Sequence, residues 1–63
     1  MLMVTLPKTV QFGETVETRI DGELRRVTRE AGFLVIEPGD FRRIITVVDE
    51  GDLQTFICAD DAA

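Results

Sequence analysis

"IDGELRRVTREAG", residues 20–32, decides the fold, because it reads in two ways. As a hairpin, Asp21-Gly22 is the turn. Both residue types tolerate the φ > 0 that a two-residue type I′ turn demands. Such a turn pairs Ile20 with Glu23, Thr18 with Arg25 and Val16 with Val27. It also sets Glu17 opposite Arg26, an opposite-charge contact across the strands. As a helix, Asp21 is the N-cap, Leu24, Val27 and Ala31 share one face, and Gly32 ends the last turn. Arg25, Arg26 and Arg29 suit that helix, whereas Glu30 near its end opposes the dipole. The hairpin is the expectation adopted, and a helix at about 21–31 is its alternative.

Upstream, Leu2, Val4 and Leu6 alternate with Met3 and Thr5, the period of a half-buried strand. Pro7 lacks an N–H and belongs at an edge or a break. Val10 and Phe12 continue the alternation, Gly13-Glu14 reads as a turn, and Val16, Thr18 and Ile20 alternate again. Downstream, apolar runs at 33–36, 41–48 and 53–59 are separated by Pro38-Gly39-Asp40 and by Asp49-Glu50-Gly51-Asp52. Pro presets φ for the first corner of a turn, and Gly supplies φ > 0 at the second. Connections this short join antiparallel neighbours, since a parallel crossover needs a dozen residues or more.

The fold expected is all-β: a small antiparallel meander, a curled sheet or barrel of five to six short strands. The alternative is α+β, with the 21–31 helix packed on the sheet. One domain spans 1–59, and 60–63 reads as an acidic solvated tail. The last three runs are apolar on both faces, which a sheet with one wet face would not show. The N-terminal strand, the helix or a second copy of the chain must then cover the second face.

A chain of 63 residues is usually marginal alone and gains from a disulfide, a metal or a partner. Cys58 is the only cysteine and there is no histidine. A disulfide within the chain and a cysteine–histidine metal site are therefore excluded, which points to self-association. Neither a membrane span nor a signal peptide is visible. With a lone cysteine, these features favour a reducing, cytoplasmic setting. Residues 1–43 hold seven basic and seven acidic groups, so the net charge of −5 comes from five acids in residues 44–63. Phosphate backbones repel such a chain unless its cations gather on one face.

Arg25, Arg26, Arg29, Arg42 and Arg43 are the candidate contacts for an anion or a partner. Arginine's planar fork suits phosphate, but each residue could equally be a solvated strand end or a glutamate's neighbour. Arg42 and Arg43 should point to opposite faces of a strand unless a bulge intervenes, with Glu37 and Asp40 near enough to neutralise them. Arg42 would then share a face with Ile44 and Val48, and Arg43 with Phe41, Ile45 and Val47. Single-strand binders add aromatic stacking platforms. This chain has no Trp or Tyr, and its four Phe lie in apolar patterns. The acids at 49–52, 60 and 61 lack the alternating ligand pattern of a calcium loop. Cys58 has no base to activate it, and there is no serine. No catalytic residue, cofactor or metal is expected. The function expected is a non-catalytic protein–protein interaction or assembly module, a small homo-oligomeric accessory subunit. A nucleic-acid-binding regulator with an arginine-rich face is the alternative.

Overall fold

Six strands form in the computed structural model, which describes residues 1–62, with side-chain surroundings as far as Asp60. They are β1 (Leu2–Pro7), β2 (Thr15–Ile20), β3 (Glu23–Arg29), β4 (Phe33–Ile36), β5 (Asp40–Glu50) and β6 (Leu53–Ala62). All pairings are antiparallel, in the order β1-β6-β5-β4-β3-β2. The sheet curls until β1 approaches β2, giving a nearly closed barrel with no helix among the described residues. Across that seam, the Thr18 hydroxyl donates to the Thr5 carbonyl at 3.2 Å.

The α+β alternative is overturned, since residues 23–29 are a strand. Asp21 takes φ 51° and Gly22 φ 82°, the left-handed pair of a type I′ turn. The register is the expected one: Ile20 faces Glu23, Thr18 faces Arg25, Glu17 faces Arg26 and Val16 faces Val27. The physical reason lies in Val27. A strand between β2 and β4 buries it completely and leaves Leu24 outside, whereas the helix needed both on its apolar face.

Alternation along each strand sends one set of side chains inward. Val4, Leu6, Ile20, Val27, Leu34, Ile36, Phe56 and Cys58 fill the barrel, with Leu2, Val16 and Ile44 at its margins. Val10 joins them from outside the strands. The expected continuation of the alternation through Phe12 fails, because Pro7 ends β1 and residues 8–14 form a loop. That loop is tied at both ends, by Lys8 N–H to the Asp52 carbonyl (2.9 Å) and by Gly13 N–H to the Arg29 carbonyl (2.6 Å). It crosses one end of the barrel, dropping Val10 inside and leaving Phe12 67% exposed.

Two further boundaries differ from the sequence expectation. β6 continues to Ala62, so residues 60–62 of the expected tail are strand, and residue 63 lies outside the described residues. β5 carries register shifts between Arg42 and Ile44 and between Ile44 and Thr46. Ile44 faces Cys58 and Val47 faces Phe56, both interior residues, so an extra residue at Ile45 resets the alternation. Val47, not Val48, therefore follows Ile44 on the inner side.

Among the described residues, no part of the chain covers the outer face of the later strands. β1 takes its place in the sheet beside β6 rather than over it. Met3, Phe41, Ile45, Val48 and Leu53 stay exposed.

Candidate functional site: two arginine-bearing barrel mouths

On β3, Arg25 and Arg29 share the inward face of Val27, one at each end of the barrel. At the end formed by the start of β3 and β5, Arg25 and Arg42 line one cleft of about 250 Å³ with Asp21, Glu23 and Asp40. Arg42 Nε donates to both Asp40 carboxylate oxygens at 3.0 Å. Its Nη1 donates to the carbonyls of Ala59 (3.1 Å) and Asp60 (2.6 Å). The bond to Asp40 raises the Arg42 pKa above its ordinary value, against the opposing effect of burial. Arg25 Nε donates to the Glu37 carbonyl at 2.8 Å, and its Nη1 lies 3.8 Å from the Glu23 carboxylate.

At the opposite end, under the 8–14 loop, Arg29 Nη1 donates to the Val10 carbonyl at 2.8 Å. Its guanidinium carbon is 5.2 Å from the ring centres of both Phe12 and Phe56. This is cation–π distance. Arg29 Nε is buried without a hydrogen-bond partner among the described residues. Val10, Gln11, Phe12 and Arg29 line an open cavity of about 410 Å³ there.

Arg26 and Arg43 lie elsewhere. Arg26 is on the outer face and pairs with Glu37 at 3.2 Å. Arg43, on the outer side of β5 opposite Phe33, has no ion pair or hydrogen bond among the described residues. The five candidates thus occupy two mouths and the outer wall, and only Arg25 and Arg42 share a cleft. Asp40 neutralises Arg42 as its position suggested, but the Glu37 carboxylate meets Arg26, and the Glu37 main-chain carbonyl accepts from Arg25. The stacking of Arg29 on Phe12 was not legible. It joins residues 17 apart in the chain that no periodic pattern connects.

The acids are dispersed too. Asp49 lies 3.7 Å from Lys8 and accepts from Gln54, Glu50 accepts from Thr55, and Asp60 pairs with the amino terminus. That last contact holds the exposed Asp60 carboxyl below its usual range. Among the described residues no three metal-ligating side chains converge.

Cys58 is 1% exposed. Its Sγ lies 3.8 Å from the Phe56 carbonyl, and burial raises its pKa, partly offset by the Arg42 charge. Reaction with a thiol reagent at pH 8 should therefore be at least about 100-fold slower in the native protein than in denaturant, since the thiolate is the nucleophile. A raised folded pKa gives stability that is fully present below the unfolded pKa and is lost as pH rises through the folded one. Unfolding free energy should accordingly fall above about pH 9. Cys58→Ala should flatten that alkaline limb. Equal slopes in the two proteins, by urea titration at several pH values, would refute the assignment.

The fold and its polar ends define a small six-stranded barrel whose arginines are mostly engaged by its own carboxylates and carbonyls. Its outer apolar face has no such internal partner among the described residues. No protein-family model matches the chain, and comparison with curated proteins and with solved structures gives no match.

Proposed function

We propose that this protein is a non-catalytic assembly module, a small accessory subunit that associates with itself. The observation carrying this is the asymmetry of the barrel's outside. The outer side of β2 and β3 carries Glu17, Arg19 and Arg26, with Leu24 as its one exposed large apolar side chain. The outer side of β5, β6 and β1 carries Met3, Phe41, Ile45, Val48 and Leu53 instead. A concentration of exposed apolar side chains on one side of a small chain, here interspersed with Thr5, Thr46 and Thr55, is the kind of surface that marks an interaction site. Burying it would also supply stability that 63 residues gain with difficulty alone. A lone buried thiol with no disulfide partner suits a reducing compartment such as the cytoplasm.

The alternative, a nucleic-acid-binding regulator, needs a common basic face. Its support is weaker because the candidate arginines are divided among two mouths and the outer wall. Light scattering coupled to size exclusion should give a dimer or larger species at micromolar concentration. A thermally stable monomer would refute the proposal. Submicromolar nucleic-acid binding that weakens steeply with salt would favour the alternative.

A further inference from the structure

β5 is the longest strand, yet β4 pairs with only its first four residues, Asp40–Arg43. Ile44 N–H then donates to the Gly32 carbonyl at 2.9 Å. From Ile45 to Glu50, β5 has β6 on one side and no strand on the other among the described residues. Every side chain from 45 to 50 is exposed, Ile45 by 59% and Val48 by 44%.

Backbone direction follows from the hairpin. Gly51-Asp52 is a two-residue turn between Glu50 and Leu53. The pair flanking such a turn exchanges both hydrogen bonds, and alternate pairs do so from there on. Glu50 and Val48 thus bond to β6, while Val47 and Asp49 aim N–H and C=O at the open side. Natural sheets protect such an edge with proline, lysine or a covering loop. Ile45-Thr46-Val47-Val48 has no charged residue or proline.

We infer that this open edge joins two copies of the chain, β5 against β5 in antiparallel register about a two-fold axis at Val47. The inference rests on the assembly reading and specifies its partner and register. Val47 is the edge-directed residue nearest the middle of the free stretch. A dyad there sets Val47 against Val47, Thr46 against Val48 and Ile45 against Asp49. A register shifted toward Arg43 would drive the second strand into β4. The pattern is self-complementary in charge as well. Antiparallel pairing brings the Arg43 end of one strand beside the Asp49-Glu50 end of the other, and Arg43 lacks a carboxylate partner within its own chain among the described residues. An isologous contact of this type closes at two copies rather than growing into a fibre.

The test combines amide exchange with sedimentation. In the wild-type dimer the Val47 and Asp49 amides should exchange at least about 100-fold more slowly than in a sample diluted to monomer. Val47→Pro removes a donor that β6 does not use. It should raise the dimer dissociation constant at least 100-fold while the far-ultraviolet spectrum is retained, and Val47→Thr should leave the constant within about threefold. Should Val47→Pro fail to fold, the charge pair decides. Arg43→Glu should raise the constant about 10-fold, and Glu50→Arg added to it should restore the wild-type value. A dimer whose Val47 and Asp49 amides exchange freely, or that is indifferent to these changes, overturns the edge register while self-association stands. A wild-type protein that is monomeric at micromolar concentration overturns both.

Discussion

Phe56→Ala is expected to remove between a third and all of the stability of the fold. Phe56 has the largest fully buried side chain, at the centre of the barrel wall between Val4 on β1 and Val47 on β5. Its ring also lies beneath the Arg29 guanidinium, 5.2 Å from centre to carbon. Removing a buried phenyl ring loses its transfer free energy and leaves a cavity, together about 3–5 kcal/mol. A chain of this length has a total stability of roughly 3–9 kcal/mol, at about 0.05–0.15 kcal/mol per residue. The substitution therefore removes a third of the stability at the least and all of it at the most. Urea titration with circular dichroism should show a midpoint near zero or a shift of more than about 3 kcal/mol. Phe12→Ala is the control. Phe12 also lies 5.2 Å from the Arg29 guanidinium carbon but is mainly solvent-exposed, so its loss should cost less than about 1 kcal/mol. Equal losses for Phe56 and Phe12 would mean that the interior is not where the core residues place it.

The contrast between these two phenylalanines also marks how far the sequence could be read. Phe56 was legible as one of an alternating pair with Cys58 in a run bounded by a turn, although that run is apolar on both faces. Phe12 carried the same alternating signal, continued from Val10. What misled there was the proline at position 7. It ended pairing with β6, and the loop that follows is held by two backbone bonds whose partners lie at residues 52 and 29. Those bonds are tertiary and leave no local trace. The Asp21-Gly22 hairpin was legible for the opposite reason, since its geometry is dictated by two adjacent residues. The reset of alternation at Ile45 falls between these cases. A bulge was the recognised exception to the two-residue period, but a run of Ile44, Ile45, Thr46, Val47 and Val48 is apolar on both faces and cannot show where the extra residue sits. The arginines were legible as a set and not as an arrangement. Their destinations depend on which carboxylates and carbonyls the register brings alongside, as when Glu37 meets Arg25 and Arg26 instead of Arg42.

Arg42→Ala and Arg43→Ala are expected to differ sharply although the residues are adjacent. Arg42 is a strap between the start of β5 and the end of β6. Its side chain is 22% exposed, and it satisfies the Asp40 carboxylate and the carbonyls of Ala59 and Asp60 together. Hydrogen bonds to charged groups contribute about 1.5–3 kcal/mol, and removing the donor leaves three acceptors at a half-buried site. Arg42→Ala should therefore cost about 2–3 kcal/mol. It should also speed amide exchange in residues 59–62, where the β6 register against β5 is already irregular. Arg42→Lys should recover only part of this, because one ammonium cannot span the carboxylate and two carbonyls as the planar fork does. Arg43 is exposed and makes no contact of this kind among the described residues, so Arg43→Ala should change monomer stability by less than about 0.5 kcal/mol. Chemical denaturation at high dilution separates this from any effect on self-association. A functional anion site would reverse the pattern: it would keep Arg42 unsatisfied, and its removal would be neutral or stabilising. Comparable losses for the two variants, or a stabilised Arg42→Ala, would show that the strap is not structural. With Arg42 held by Asp40 and two carbonyls, Arg43 is the exposed member of the pair and has no carboxylate partner among the described residues, so it is the one placed to meet a carboxylate on another molecule.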